Sequence, residues 1–334
     1  MSDITIQSAA PVHGLRAVEV ASDLLRLVIL PELGAKIWQI QYRPAAADLL
    51  WNNPSLAPAR QSLHASYDDT WSGGWDELFP NDAAGEWSGY KLPDHGELWS
   101  GEWQDETVMV GDVLALRLSY TTPLTHFQVE KTLILRPDLA VLEINYKLTN
   151  RGTETFPFLF KLHPAFAVSA SHRIDFAPMT VHLEPEFPGT LEGAPHTFAW
   201  PHARIGGNSI DLRQVPAEDS GAVHFFYGAE LGGGWCGVTN RANRLAAALR
   251  FDPAVFSSCW LFATHGGWRD LNVAVLEPGT GYPYNFHSMI EGGNAFRLGP
   301  GETLETSVLF SVEEGFTSIG GVDENGRILP GAEY

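Results

Sequence analysis

Three titratable side chains stand in sequence contexts that could support chemistry. His95 lies between an aspartate and a glycine, His163 directly precedes a proline, and Glu277 follows an apolar run and precedes Pro-Gly. Histidine titrates near neutral pH, and partial desolvation brings the pKa of a carboxyl group towards the same range. A carboxylate base and an imidazole acid on opposite sides of one bound molecule form a minimal pair for moving protons.

The sequence around two of these residues predicts where they lie in a strand. His163 comes near the end of a strand that begins near Thr155, and the next residue, Pro164, has no N–H to donate to a sheet ladder. We therefore expect this strand to end at His163 and the imidazole to lie at the rim of the sheet. The Pro-Gly after Glu277 likewise predicts a partly desolvated carboxylate near a sheet edge.

The segment from His64 to Trp103 differs from the rest of the chain. It lacks alternating strand patterns and contains many acids, several Gly and Pro residues, and five tryptophans: Trp71, Trp75, Trp87, Trp99 and Trp103. A long irregular segment in a compact domain is typically a functional loop, and its tryptophan content disfavours disorder. Tryptophan rings offer flat apolar faces to a pyranose, although they could equally belong to the core. With the acid–base pair, this composition favours a protein that holds a sugar in an open cleft.

The composition limits the classes of partner. The chain of 334 residues is 44% hydrophobic and 18% charged, which is typical of a folded globular protein, and its formal charge is −19. A field of that sign repels phosphate backbones and anionic lipids, so we expect no nucleic acid and no membrane as partner and favour a neutral small molecule. The chain has two cysteines, and its first residues, MSDITIQSAAP, lack the pattern of a secretion signal. We therefore expect a soluble, cytoplasmic protein.

Several common catalytic motifs are absent from the sequence. It contains no H-x-H, H-E-x-x-H or C-x-x-C spacing, so no metal site is predicted. The run of three glycines from Gly232 to Gly234 precedes a tryptophan rather than a Lys-Ser/Thr helix, so it is not a phosphate-binding loop. The absence of G-x-S-x-G weakens a serine hydrolase interpretation.

Period-2 alternation predicts strands along most of the chain. Five runs are clearest: Leu24 to Leu30, Leu114 to Tyr120, Phe127 to Leu135, Leu142 to Thr149 and Leu304 to Val312. The best helical candidate is the short Ala-rich stretch from Asn240 to Arg250. We therefore predict an all-β fold, a large antiparallel two-sheet sandwich, in which residues 1–334 form a single domain.

Three motifs occur in the order in which a known family carries them. They are Asp94-His95-Gly96, Leu162-His163-Pro164 and Leu276-Glu277-Pro278, and together they resemble the aldose 1-epimerase (galactose mutarotase-like) family. Two further stretches are similar to that family's first hairpin and to the loop ahead of its first histidine: Leu30 to Ile37 and Gly74 to Pro80. The resemblance covers most of the chain and implies a β-supersandwich of the galactose mutarotase-like type.

The resemblance also implies a reaction. This family interconverts the α and β anomers of an aldose and needs no cofactor. The resemblance therefore implies that the chain is an isomerase of carbohydrate metabolism. By resemblance, Glu277 is the base that takes the proton from the C1 hydroxyl, and His163 is the acid that protonates the ring oxygen. His95 hydrogen-bonds the ring oxygen or an adjacent hydroxyl. The opened chain rotates about C1–C2, and the same groups close the ring on the other face.

Other side chains near the three motifs are candidates for substrate binding. The arginine that galactose-specific members place ahead of the first histidine has no counterpart here, so the resemblance does not extend to galactose specificity. We expect a neutral aldose to be bound by hydroxyl-binding acids and by ring-facing tryptophans: Trp75, Asp76, Glu77, Trp99 and Trp260.

Two other functions fit the same residues. A non-catalytic carbohydrate-binding protein would keep the aromatic cleft and transfer no proton. A glycoside hydrolase or lyase could use the same fold, since fold does not settle chemistry. Hydrolysis normally needs two acids that face each other across the bond, and Glu277 has three candidate partners: Asp76, Glu77 and Glu97.

Overall fold

A computed structural model describes residues 4–332. Residues 1–3 and 333–334, the ends of the predicted single domain 1–334, lie outside the described residues. Strands dominate and both α-helices are short, so the predicted all-β class is confirmed. Across residues 4–332, no helix combines the length and the apolar character that a membrane span needs.

The chain forms two compact units. Within residues 4–332, unit 1 comprises residues 4–163 and Thr280–Val308, and unit 2 comprises Pro164–Gly279 and residues 309–332. Each unit is therefore assembled from two separate stretches of sequence. The single-domain assignment stays a prediction.

The strands and helices of the first half of the chain precede or include His163. They are β1 (Thr5–Val12), β2 (Leu15–Ala21), β3 (Leu25–Leu30), β4 (Lys36–Tyr42), β5 (Ala47–Asp48), α1 (Tyr67–Thr70), β6 (Trp75–Leu78), β7 (Gly85–Trp87), β8 (Tyr90–Leu92), β9 (Gln104–Val110), β10 (Val113–Thr121), β11 (Phe127–Leu135), β12 (Val141–Asn150), β13 (Phe156–Phe158) and β14 (Lys161–Phe166). A 3₁₀ turn, Arg43–Ala45, links β4 to β5.

The second half of the chain has fourteen further strands and one α-helix within the described residues. They are β15 (His172–Phe176), β16 (Thr180–Leu183), β17 (Thr197–Ala199), β18 (His202–Ile205), β19 (Asn208–Asp211), β20 (Ala222–Ala229), β21 (Trp235–Asn240), β22 (Leu245–Phe251), β23 (Ser258–His265), β24 (Asn272–Gly279), α2 (Phe286–Glu291), β25 (Phe296–Leu298), β26 (Thr303–Glu314), β27 (Ile319–Val322) and β28 (Ile328–Pro330). A second 3₁₀ turn, Gly189–Leu191, follows β16.

Unit 1 contains two antiparallel groups of strands, in the orders β1-β2-β3-β4-β6 and β12-β11-β10-β9. The predicted strands in this unit are confirmed, because they coincide with β3, β10, β11 and β12. The two groups pack face to face: the ring of Phe79, which follows β6, lies 4.9 Å from the ring of Phe127 in β11. Alternating apolar side chains of both groups fill the space between them.

Unit 2 contains the strand orders β24-β23-β20-β16-β17 and β15-β21-β22, again antiparallel. Glu277 in β24 is paired with Trp260 in β23, and Trp260 is paired with Tyr227 in β20. Directly paired residues share one face of a sheet, so these three side chains form a row. The adjacent pair, Phe226 in β20 and Leu261 in β23, is fully buried on the other face of the sheet.

The best helical candidate in the sequence, Asn240 to Arg250, is not a helix. This stretch forms a turn and strand β22, which pairs with β21 from Trp235↔Arg250 to Asn240↔Leu245. Helix propensity is a weak signal that packing overrides. Here Ala246 and Ala248 pack against Ile319 in a buried cluster, and their small side chains fit that contact.

The predicted strand end at His163 is also wrong, whereas the strand that holds Glu277 ends two residues later, at Gly279. Strand β14 continues through Pro164, and strand β24 continues through Pro278. Proline removes one N–H donor, but its fixed φ is compatible with extended backbone, so a strand can pass through it. As a result His163 and Glu277 lie inside strands, with only 6% and 1% of their surface exposed.

Candidate functional site

His95 stands in a strained turn. Both His95 and Gly96 have left-handed backbone angles, with φ of 58° and 77°, which is uncommon for a residue with a side chain. The His95 N–H donates to the carbonyl of Asp82 at 2.6 Å. A Cβ at position 96 would come within 2.0 Å of the Phe79 carbonyl oxygen, so glycine is required there. The glycine of the first motif therefore holds the imidazole in place.

Two carboxylates surround the His95 ring. Its Nδ1 lies 2.8 Å from Oδ1 of Asp94, and its Nε2 lies 3.9 Å from Oδ1 of Asp82. Burial opposes a charge on the ring, but the two carboxylates outweigh burial and raise the pKa of His95 above its ordinary value. The two carboxylates therefore favour the imidazolium form more than water does.

His163 has the opposite environment. Its ring is buried in β14, with the ring centroids of Tyr67 and Trp71 edge-on at 5.5 and 5.4 Å. Burial, reinforced by the positive charges of Lys161, His95 and Lys36, lowers the pKa of His163 well below its ordinary value. The neutral imidazole of His163 is therefore favoured. The ring centroids of His95 and His163 are 6.4 Å apart, so two rings with opposite pKa shifts are neighbours.

Tyr67 connects the two histidines. It is the first residue of α1, and the hydroxyl of Ser66 caps that helix by accepting from the N–H of Asp69. The Tyr67 ring stacks on His95 at 4.1 Å, and its N–H donates to Asp94 at 2.8 Å. Its hydroxyl lies 3.2 Å from Nδ1 of His163. One side chain therefore contacts both rings.

Buried ion pairs complete the cluster. Lys36 Nζ lies 2.5 Å from Oδ2 of Asp76, which also accepts the Tyr67 hydroxyl at 2.9 Å. Lys161 Nζ lies 2.5 Å from Oδ2 of Asp82. Each of these two carboxylates thus has a lysine partner, and Asp94 has His95. We refer to His95, His163, Tyr67 and the side chains of these pairs as the histidine cluster.

The structure shows different surroundings for the five predicted substrate-binding residues. Asp76 and Trp99 belong to the histidine cluster or contact it: Trp99 Nε1 donates to the Asp94 carbonyl at 2.9 Å, and its ring lies edge-on to Tyr67 at 5.0 Å. Trp75 is fully buried in β6. The proposed contact of these side chains with a sugar stays a prediction.

Glu77 lies in a different environment from its neighbour Asp76. Its carboxylate lies 2.8 Å from Lys131 Nζ and accepts the Tyr146 hydroxyl at 2.7 Å, all inside unit 1. Burial raises the pKa of Glu77, and the Lys131 charge opposes this rise. The carboxylate is therefore engaged in an interior network that joins β6 to β11 and β12.

Glu277 and Trp260 lie together in unit 2. They are paired between β24 and β23, and the Trp260 ring packs edge-on against Tyr227 at 4.7 Å. Trp260 Nε1 donates to the Ser258 hydroxyl at 3.1 Å. The Tyr227 hydroxyl donates to Glu184 at 2.6 Å. The carboxylate predicted as base therefore stands in a row with aromatic side chains.

Three members of the histidine cluster were not identified from the sequence: Tyr67, Lys36 and Asp82. A lysine at an inward position of a strand is one usable signal, since a buried lysine requires a partner. Tyr67 and Asp82 give no comparable local signal, because they come from turns and a single helical turn whose neighbours are set by the fold. Within residues 4–332, no three His, Cys, Asp or Glu side chains come together as metal ligands would.

Comparison with known proteins places the fold. No family model matches the chain. The uncharacterized protein YphB of Escherichia coli strain K12 is 34% identical over 116 residues, which are 35% of this chain and 37% of that protein. That match therefore spans well under two thirds of the relative.

Three solved structures are similar over nearly their whole length. A candidate aldose 1-epimerase from Escherichia coli K12 has a TM-score of 0.65 and 21% identity, and the match covers 93% of this chain and 99% of that one. A galactose mutarotase-like protein from Clostridium acetobutylicum has a TM-score of 0.64 and 13% identity, with coverage of 94% and 99%. A galactose mutarotase related enzyme from Lactobacillus acidophilus has a TM-score of 0.63 and 13% identity, with coverage of 89% and 97%.

These similarities define the class of fold. The chain has the galactose mutarotase-like β-sandwich fold, so the resemblance inferred from the three motifs is confirmed at that level. At these identities the comparison concerns the fold, and the chemistry has to be argued from the side chains.

Proposed function

We propose that this protein is an aldose 1-epimerase that interconverts the anomers of a neutral sugar without a cofactor. The observation that carries the proposal is the histidine cluster, in which two imidazoles 6.4 Å apart are driven towards opposite protonation states. Titratable groups whose surroundings push their pKa values apart are suited to separate acid and base roles. The galactose mutarotase-like fold supports the same assignment.

The charge of the histidine cluster supports a neutral substrate. Lys36 pairs with Asp76, Lys161 pairs with Asp82, and His95 pairs with Asp94. Three basic side chains thus face three carboxylates, so the cluster has no net positive charge in either protonation state of His95. A phosphate or carboxylate group would find no uncompensated cation here, whereas hydroxyl groups can exchange hydrogen bonds with either charge.

The proposed reaction needs one base and one acid. Glu277 receives the role of base from its Leu276-Glu277-Pro278 motif, and it is a buried carboxylate in strand β24. One imidazole of the cluster supplies a proton to the ring oxygen, a role that the family resemblance gives to His163. Rotation about C1–C2 in the open-chain aldehyde then allows closure to the other anomer.

The carboxylates that a hydrolase would need are engaged elsewhere. Asp76 is bound by Lys36 and Tyr67, and Glu77 is bound by Lys131 and Tyr146. Glu97 accepts the Leu124 N–H at 2.7 Å and the Thr125 hydroxyl at 2.6 Å. Glycoside hydrolysis by two facing acids is therefore the weaker proposal.

The direct test is anomeric exchange. Saturation-transfer NMR of α and β signals is measured across a panel of neutral, acidic and phosphorylated aldoses, with and without the protein. We expect faster exchange for neutral sugars, and an unchanged exchange rate across the whole panel would contradict the proposal. Sugar binding without faster exchange would instead establish a carbohydrate-binding protein.

Two glutamate variants separate the base from a general effect of charge. Glu277→Gln keeps the side-chain volume and removes the basic oxygen, so it should lower the exchange rate by about 100-fold or more, the usual contribution of a general base. Glu184→Gln is the matched control, because Glu184 is also buried in unit 2 and its carboxylate accepts the Tyr227 hydroxyl. Equal exchange rates in the two variants would contradict the role of Glu277.

We also propose a cytoplasmic location. Both cysteines, Cys236 and Cys259, are buried free thiols, as is usual for a protein of a reducing compartment. The negative net charge of the chain, −19, supports the absence of nucleic-acid and membrane partners. Cell fractionation with an antibody against the protein tests the location.

A further inference from the structure

The sheet of unit 2 has an apolar face that its core does not account for. Phe226 and Leu261 are fully buried on one face of β20 and β23. The opposite face carries the neighbouring pair, Phe225 and Phe262, and both of these side chains are only partly buried. A sheet face directed away from a core normally carries polar side chains. Two phenylalanines at such positions therefore require a reason.

Two further rings extend this pair on either side. The ring of Phe187 lies 6.2 Å from the ring of Phe225, and the ring of Trp268 lies 5.3 Å from the ring of Phe262. Phe187 is 38% exposed, and Trp268 is partly exposed. We refer to Phe187, Phe225, Phe262 and Trp268 as the aromatic patch. Contiguous apolar surface of this kind on a soluble protein marks a binding site more often than chance.

The turn between β23 and β24 holds Trp268 in place with a strained backbone. Arg269 and Asp270 both have left-handed backbone angles, with φ of 50° and 56°, which is unfavourable for a side chain as large as arginine. The Trp268 N–H donates to the Thr264 hydroxyl at 3.0 Å, and the Trp268 carbonyl accepts the Leu271 N–H at 3.0 Å. Backbone strain is concentrated at functional sites. The position of Trp268 is therefore fixed before any ligand binds.

The aromatic patch is continuous with the row of side chains that includes Glu277. The ring of Phe225 lies 5.4 Å from that of Tyr227 and 6.3 Å from that of Trp260, and Trp260 is the strand partner of Glu277. Phe262 is two residues beyond Trp260 in β23, so its row lies about 7 Å from the row of Glu277 at the usual rise of an antiparallel strand. That spacing is close to the length of one pyranose ring.

The chemistry of the aromatic patch favours a sugar ring as its ligand. A pyranose has a face of C–H bonds, which packs on aromatic rings, and an edge of hydroxyl groups, which need donors and acceptors. The Arg269 guanidinium carbon lies 4.9 Å from the centroid of the Trp268 ring, so N–H donors flank the apolar surface. A stable protein interface buries about 800 Å² on each partner, which is more than four partly buried rings supply.

We propose that the aromatic patch binds the second ring of a reducing disaccharide whose first ring lies at Glu277. This proposal rests on the proposed function, because it places the free C1 hydroxyl of the first ring at the base. The first ring has to be the reducing one, since anomers exchange only where C1 is not part of a glycosidic bond. The second ring then lies over Phe262 and Trp268. The protein is therefore selective for a disaccharide over the corresponding monosaccharide.

Calorimetric titration of the whole protein tests this selectivity. Each disaccharide is compared with its reducing monosaccharide: cellobiose and maltose with glucose, mannobiose with mannose, galactobiose with galactose, and xylobiose with xylose. We expect at least one disaccharide to bind about 10-fold more tightly than its monosaccharide, the gain that one additional aromatic contact supplies. A Kd for every disaccharide that equals or exceeds that of its monosaccharide would overturn the proposal.

Variants of the aromatic patch test where the second ring lies. Trp268→Ala should raise the Kd of the selected disaccharide by about 10-fold and leave that of the monosaccharide unchanged. Phe187→Ala should act in the same direction and changes a side chain that is already 38% exposed. Trp235→Ala is the matched control, because Trp235 is a partly buried tryptophan of unit 2 that packs against the cluster of Ile319 instead. An unchanged ratio of the two Kd values in both patch variants would contradict the proposal.

Anomeric exchange of the same sugars distinguishes failure of this proposal from failure of the proposed function. If monosaccharides exchange faster but no disaccharide binds more tightly, the isomerase assignment stands and the role of the aromatic patch is refuted. If a disaccharide binds more tightly in a manner that depends on Trp268, but no sugar exchanges faster, the isomerase assignment fails and the aromatic patch is a sugar-binding site.

Discussion

The pair formed by Lys36 and Asp76 allows a quantitative test of the histidine cluster. The two side chains are 3% and 0% exposed, their charged atoms are 2.5 Å apart, and Lys36 also donates to the Gly73 carbonyl at 2.7 Å. Lys36→Met keeps most of the volume but leaves a buried carboxylate without its cation. Breaking a buried pair in this way costs about 3–5 kcal/mol, because the remaining charge is not solvated.

A double variant shows whether the cost comes from the unpaired charge. In Lys36→Met/Asp76→Asn the buried group is a neutral amide, whose oxygen still accepts the Tyr67 hydroxyl. We expect the double variant to regain about 2 kcal/mol or more of the loss seen in Lys36→Met. Lys147→Met is the control, because its partner Glu305 is 68% exposed and an exposed pair contributes about 0–1 kcal/mol.

The assay is urea unfolding at pH 7, followed by tryptophan fluorescence and far-ultraviolet circular dichroism. The midpoint should fall in Lys36→Met with an unchanged slope, since a slope change would indicate a different unfolded or folded state. Equal free energies of unfolding for the single and double variants would refute the argument that the unpaired Asp76 charge causes the loss. A loss in Lys147→Met as large as that in Lys36→Met would refute the argument from burial.

Three further predictions concern other parts of the molecule. Gly96→Ala should lower the anomeric exchange rate by about 100-fold, measured by saturation-transfer NMR, because a Cβ 2.0 Å from the Phe79 carbonyl displaces the His95 turn. His163→Gln should lose less stability in acid than the wild type does. Because the pKa of His163 is lowered in the folded state, the wild-type free energy of unfolding falls as the pH drops below about 6.5, by up to about 1.4 kcal/mol per pH unit. Urea titrations at several pH values should show that the variant lacks this contribution. Cys236 and Cys259 should react with Ellman's reagent only after unfolding in urea, because both thiols are buried and burial raises the pKa of Cys259 well above its ordinary value.

The fold was largely predictable because its signal is local and repeated. The alternating run from Leu142 to Thr149 coincides with β12, and the run from Phe127 to Leu135 coincides with β11. Alternation reports burial on one face, and every residue of the strand contributes to that pattern. The alanines of β22 carry no such alternation, because both faces of that strand are buried, so the sequence there resembles a helix instead.

The residues of the candidate site were predictable only where their type and sequence motif indicate acid–base chemistry. His95, His163 and Glu277 stand in recognisable motifs, but the state of each ring depends on partners that are distant in sequence. Tyr67 is 96 residues from His163, and the hydrogen bond between them is set by where α1 meets β14. No sequence periodicity predicts this contact between Tyr67 and His163. For the same reason, the position of the Asp82 carboxylate beside His95 could not be derived from the sequence.

The paired charges around Tyr67 have a consequence for the way this sequence can change. Because Lys36 and Asp76 neutralise each other out of water, the loss of either one alone leaves a buried charge, whereas exchange of both for neutral side chains does not. The same holds for Lys161 and Asp82. Related sequences should therefore keep or replace each pair as a unit, and positions 36 with 76 and 82 with 161 should covary even though they lie far apart along the chain.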